Sequence, residues 1–114
     1  MLKTSKNKLD SETKLILDEV TSVSKISLLY DSLREILEAL ALKNRFKIYN
    51  HECYAYFLKE VLNKSRVANE FDELRKIRNS VNYYGKYISV YEAEKVLERL
   101  KDLRFKILEI LNQF

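Results

Sequence analysis

The chain has 114 residues, 46% hydrophobic and 33% charged, with a formal net charge of +4. That length sets one domain with a modest core, and the composition excludes a disordered tail. No apolar run approaches the roughly 18 residues of a spanning helix, and the lysine-bearing start MLKTSKNKLD has no apolar segment behind it. Neither a membrane span nor a secretory leader is therefore expected.

One cysteine, Cys53, leaves no internal disulfide, which fits a reducing cytosol and a cytoplasmic location. One histidine beside one cysteine gives no metal-ligand spacing, and no Gly-rich phosphate loop, catalytic carboxylate pair or Ser-His-Asp set can be assembled, so neither metal nor cofactor is expected. The mild basic excess favours an acidic partner such as RNA only weakly.

No proline and one glycine leave few places to break a helix. The expected fold is all-α, an up-and-down bundle of four to five helices, with residues 1–9 flexible and 10–114 forming the bundle. A first helix is predicted from Asp10 or Ser11, carrying Leu15, Ile16, Leu17 and Val20. The hydroxyl and β-branched run from Thr21 to Ser24 weakens it, so a kink or short break belongs there.

Ile26, Leu29, Leu33, Ile36 and Leu40 then repeat at helical spacing, with Asp31, Arg34, Glu35 and Glu38 as polar flanks. Lys43 to Lys47 reads as a basic helix end or loop. Asn50 is placed to cap a third helix running to about Asn63, with Tyr54, Phe57, Leu58, Val61 and Leu62 as its apolar face. His51 and Cys53, two positions apart, point to opposite sides of that helix, which argues against a thiol dyad and for a capping or packing role of His51.

Ser65 is placed to cap a fourth helix reaching about Tyr84, and Gly85 is a natural left-handed stop. Ser89 and Glu92 match a capping box, with Ile88 and Ala93 as a hydrophobic staple. The last helix carries the most regular seam, Val96, Leu100, Leu103, Ile107, Ile110 and Phe114. Leu97, Leu108 and Leu111 widen that seam to a second side, which raises the expectation of a dimer surface.

Phe71 to Ser89 departs from what a bundle needs. Val67, Phe71, Leu74 and Val81 share one stripe, yet Arg78 lies in its middle, with Arg75 one turn before and Asn82 one turn after. From Leu74 to Tyr91 the chain carries Arg75, Lys76, Arg78 and Lys86, tyrosines 83, 84, 87 and 91, and no carboxylate. An inward arginine has two readings: it pairs with a carboxylate of another helix, Glu35 and Glu38 being nearest, or it holds an anion. Periodicity does not choose between them.

Three stretches, YDSLREILEALALK (30–43), IYNHECYAYFLKE (48–60) and above all FDELRKIRNSVNYYGK (71–86), resemble the HEPN (higher eukaryotes and prokaryotes nucleotide-binding) family, small prokaryotic members in particular. The resemblance covers residues 10 to 112. Its hallmark is an Arg and a following polar residue, with a His four to six positions on; Arg78 and Asn79 match the start, and Tyr83 stands at the four-residue spacing where that histidine is expected. The resemblance implies a metal-independent endoribonuclease built at a homodimer cleft, Arg holding the scissile phosphate and His moving protons.

Arg78, Asn79 and Tyr83 are then the catalytic candidates, and Arg75, Lys76, Arg78, Asn82, Tyr84 and Lys86 those for nucleic-acid binding. A tyrosine in place of imidazole costs about 10² to 10⁴ in rate, so cleavage is expected to be degenerate while RNA or nucleotide binding survives. Related small members pair with a minimal nucleotidyltransferase as toxin and antitoxin, which makes a non-catalytic interaction partner the alternative. A third reading recruits His51 in place of the absent histidine.

Overall fold

A computed structural model of the chain describes residues 4–9, 21–50, 52–83 and 87–113. A short helical segment, α1 (residues 4–9), precedes α2 (Ser22–Lys43), α3 (Glu52–Tyr56, continued as a π-helical turn over Phe57–Val61), α4 (Ser65–Tyr83) and α5 (Val90–Asn112). The protein is an all-α bundle, with no strand among the described residues. None of its helices is long and apolar enough to cross a membrane.

The two longest helices make the main interface. Ile26, Leu29, Leu33, Ile36 and Leu40 of α2 and Val96, Leu100, Leu103, Ile107 and Ile110 of α5 are all buried, as their spacings require. Tyr54, Phe57 and Leu58 of α3 and Ala68, Phe71, Leu74 and Val81 of α4 complete one core. Leu97 and Leu111, read as a second side of α5, are already buried by this chain, and Leu108 is half-buried against the core. The widened seam therefore needs no second copy to cover it. Phe114 and the proposed apolar face at Leu15 to Val20 lie outside the described residues.

Several boundaries are set by local chemistry. Thr21 precedes the first turn of α2, and the stretch before it, where the first helix and its kink or break are expected, lies outside the described residues. Asn50 accepts from the Cys53 amide through its side chain at 3.1 Å, as an N-cap does. Ser89 Oγ accepts from the Glu92 amide at 3.1 Å and its hydroxyl lies 3.2 Å from the Glu92 carboxylate, which makes the expected cap of α5. Ser65 is the first helical residue of α4 rather than its cap.

Residues 4–9 are helical, and Ser5 is buried against α2: its hydroxyl donates to the Ser32 carbonyl at 2.6 Å, while Ser32 Oγ donates to the Ser5 carbonyl at 2.7 Å. Val61 is 44% exposed, not on the apolar face of α3, because the π turn holds an extra residue and shifts the register of that face.

Candidate functional site

Arg78 projects from the apolar stripe of α4 into the seam with α2 and is only 8% exposed. Its guanidinium carbon lies 4.9 Å from the centre of the Tyr30 ring. Tyr30 is itself stacked on Phe71, two helical turns before Arg78 on the same stripe, at 5.9 Å and 20° between planes. A cation held on an aromatic face in a desolvated seam gains about 2 kcal/mol.

The outer nitrogens of the guanidinium reach polar groups. Nη1 donates to Asn79 Oδ1 at 3.4 Å, and Nη2 lies 3.7 Å from Asp31 Oδ1. Both partners are part-exposed, so this end of the arginine opens towards water while its stem lies on Tyr30. Burial raises the Tyr30 hydroxyl well above its ordinary pKa, against the opposing pull of Arg78, Arg75 and Arg34. Tyr30 is consequently a neutral phenol at pH 7, able to donate a hydrogen bond and unable to act as a base.

The carboxylate facing Arg78 is Asp31, not the expected Glu35 or Glu38. Helix phase explains it: Asp31 adjoins the Tyr30 ring on which the arginine rests, while Glu35 is paired with Lys8 of α1 and Glu38 lies 3.5 Å from Arg34. Tyr30 and Asp31 are the residues that sequence reasoning missed in this role. The available signal was an aromatic at a core position of the second helix with a carboxylate directly after it.

The other candidates divide between two sides of α4. Arg75 donates to Asp72 Oδ1 through Nε at 3.1 Å and Nη2 at 2.9 Å, and Lys76 lies 3.3 Å from Asp72 Oδ2. Burial alone raises the Asp72 carboxyl, but hydrogen bonds from these two cations outweigh it and hold its pKa below the usual value. The carboxylate-free run therefore begins just after the acid that neutralises its first two cations.

Lys76 is mostly exposed and lines a different hollow, of about 270 Å³, between α4 and the start of α5, with Ser80, Val81, Tyr87 and Glu92 on its walls. Asn82 is exposed, and Tyr83 ends α4. The candidates Tyr84 and Lys86, together with Gly85 and His51, lie outside the described residues.

The site brings together an oriented guanidinium, the Asn79 amide and the Asp31 carboxylate beside the buried Tyr30 ring. No group of three or more His, Cys, Asp or Glu among the described residues can hold a metal ion. The chain matches no family model, no curated protein and no solved structure.

Proposed function

We propose that this chain is a HEPN-like helical module of the cytosol that binds RNA or a nucleotide at the Arg78–Asn79 end of α4. A second copy completes the cleft in a homodimer, and any RNA cleavage there is metal-independent and weak. The observation that supports this reading is the pose of Arg78: stem fixed on the Tyr30 ring, outer nitrogens 3.7 Å from Asp31 and 3.4 Å from Asn79. At 3.7 Å Asp31 neutralises charge without making the 2.7–2.9 Å bond of a charge-assisted pair, so phosphate oxygens that can make such bonds compete well for the same nitrogens.

Titration of labelled single-stranded RNA tests the reading. Arg78→Lys keeps the charge and loses the planar fork, and is expected to weaken binding about tenfold. Asp31→Asn removes the competing carboxylate and is expected to tighten it severalfold. Equal affinity of both variants and the parent chain, with folding verified by thermal melting, overturns the reading.

A second reading is a toxin-like interaction partner of a minimal nucleotidyltransferase, with the cleft vestigial. It is favoured by α5, which presents Tyr91 and the 64% exposed Phe105 outwards in addition to its buried seam. Co-purification of a minimal nucleotidyltransferase, with a tyrosine gaining the mass of a nucleotide, supports it. No association in a mixed sample removes it.

A further inference from the structure

We infer that the α2–α3 junction is a second nucleic-acid contact, a platform for an extended single strand of RNA set away from Arg78. It rests on the RNA-binding reading for the class of ligand and adds a separate surface. Leu42 lies twelve positions after Tyr30 along α2, which at 1.5 Å per residue is roughly 18 Å.

The junction starts with a helix stop. The Phe46 amide donates to the Ala41 carbonyl at 2.8 Å and the Arg45 amide to the Leu42 carbonyl at 3.0 Å, the two bonds of a Schellman motif. That motif puts Arg45 in the left-handed region, at φ 55°, where glycine costs least. The chain thus presents an exposed guanidinium at a position where the backbone favours having no side chain. Strained backbone of this kind is found preferentially at functional sites.

Aromatic rings and cations alternate beyond it. From Lys43 to Asn50 there are three cations and no carboxylate. Lys43 is committed to the fold, donating to the Leu111 carbonyl at the end of α5 at 3.3 Å. Arg45 and Lys47 are exposed, and Lys47 Nζ stands 5.6 Å from the centre of the Tyr49 ring, which is 80% exposed. Phe46 packs on Phe57, at 5.1 Å, and lies 6.3 Å from the ring of the 59% exposed Tyr56.

A hollow of about 210 Å³ opens beside these rings, lined by Arg34, Glu38, Ile48, Tyr49, Asn50 and Tyr54. A second, of about 230 Å³, adjoins it and shares Glu38, Ile48 and Tyr54. Each is smaller than the roughly 300 Å³ at which enclosed small-molecule sites begin, which favours a strand laid across both over an enclosed small ligand. Glu38, common to both, is answered by Arg34 at 3.5 Å. Exposed tyrosines as stacking faces and cations for the phosphates are what an unpaired strand needs; stacking is indifferent to base identity, so the surface adds affinity without sequence preference.

Binding of a labelled oligouridine of about twelve nucleotides, measured between about 50 and 200 mM salt, tests the platform. Tyr49→Leu is expected to weaken binding at least about fivefold through lost stacking. The double variant Arg45→Gly, Lys47→Gln is expected to lower the slope of log affinity against log salt by about 1.4, the value for two single-strand phosphate contacts. Arg45→Gly melts no lower than the parent chain, because glycine suits φ 55°, which separates a binding defect from a folding one. A duplex of equal length binds more weakly.

Unchanged affinity and salt slope in both sets of variants overturns the platform, and so does equal binding of duplex and single strand. Loss in Arg78→Lys with none in Tyr49→Leu leaves the Arg78 site standing alone. Loss in Tyr49→Leu with none in Arg78→Lys does the reverse. No binding by the parent chain at the lowest salt removes both.

Discussion

Tyr30 is the residue on which the candidate site turns. Its ring is stacked on Phe71 at 5.9 Å and supports the guanidinium of Arg78 at 4.9 Å, so one side chain both fills the core and fixes a cation. The same burial that makes it a platform raises its hydroxyl pKa above the ordinary 10.0, against the pull of three arginines. Tyr54, which packs edge-on to Phe71, is raised as well, also by burial first. In the unfolded chain these phenols ionise near pH 10 while the folded chain still holds their protons, so stability falls as pH rises through and beyond 10. Tyr30→Phe keeps the ring and removes its proton. Denaturant melts of this variant should lose less stability between pH 9 and 11 than the parent chain; parallel curves would show that Tyr30 does not titrate on unfolding.

At the scale of elements, short-range chemistry sets most of the ends. Ser89 is the plainest case, since its hydroxyl oxygen satisfies the Glu92 amide at 3.1 Å that α5 otherwise leaves bare. Ser89→Ala should cost about 1 kcal/mol in urea denaturation, and Ser89→Asp, which can still accept that bond, should cost little. α4 and α5 are further tied by Arg99, which pairs with Glu70 and lies 3.0 Å from Glu73. Burial alone lowers the Arg99 pKa, but the hydrogen bonds it donates to the two glutamates outweigh it and raise it. Where an element changes type within itself, local rules gave no warning. The π turn at Phe57–Val61 puts Phe57 and Leu58 into the core while turning Val61 out, a choice made by what α4 offers to pack against.

For the molecule as a whole, the unexpected tie is polar. Ser5 and Ser32 exchange hydrogen bonds in the interior, Arg104 of α5 donates to Ser32 Oγ at 2.9 Å, and Lys8 pairs with the buried Glu35. Oε2 of Glu35 is buried with no hydrogen-bond partner among the described residues, so Lys8 carries the task of compensating that charge. Lys8→Ala strands it and should destabilise the fold by about 1–3 kcal/mol. Glu35→Gln in the Lys8→Ala background should recover part of the loss, and a double-mutant cycle by thermal unfolding reads the coupling directly. Additive losses would mean that the pair does not hold α1 in place.

The sequence by itself determined the all-α class, the seams of α2 and α5, the caps at Asn50 and Ser89 and the inward aim of Arg78, because each depends on helical periodicity or on hydrogen bonds spanning a few residues. Only the tertiary structure decided that Arg78 faces Tyr30 and Asp31, that Lys76 lies on another side of α4, and that residues 4–9 pack as a helix. Those outcomes depend on the rotation of one helix against another, and rotating α2 by one residue would turn a different carboxylate towards the arginine. Spacing within a helix fixes which side chains share a face, and packing between helices fixes what that face meets.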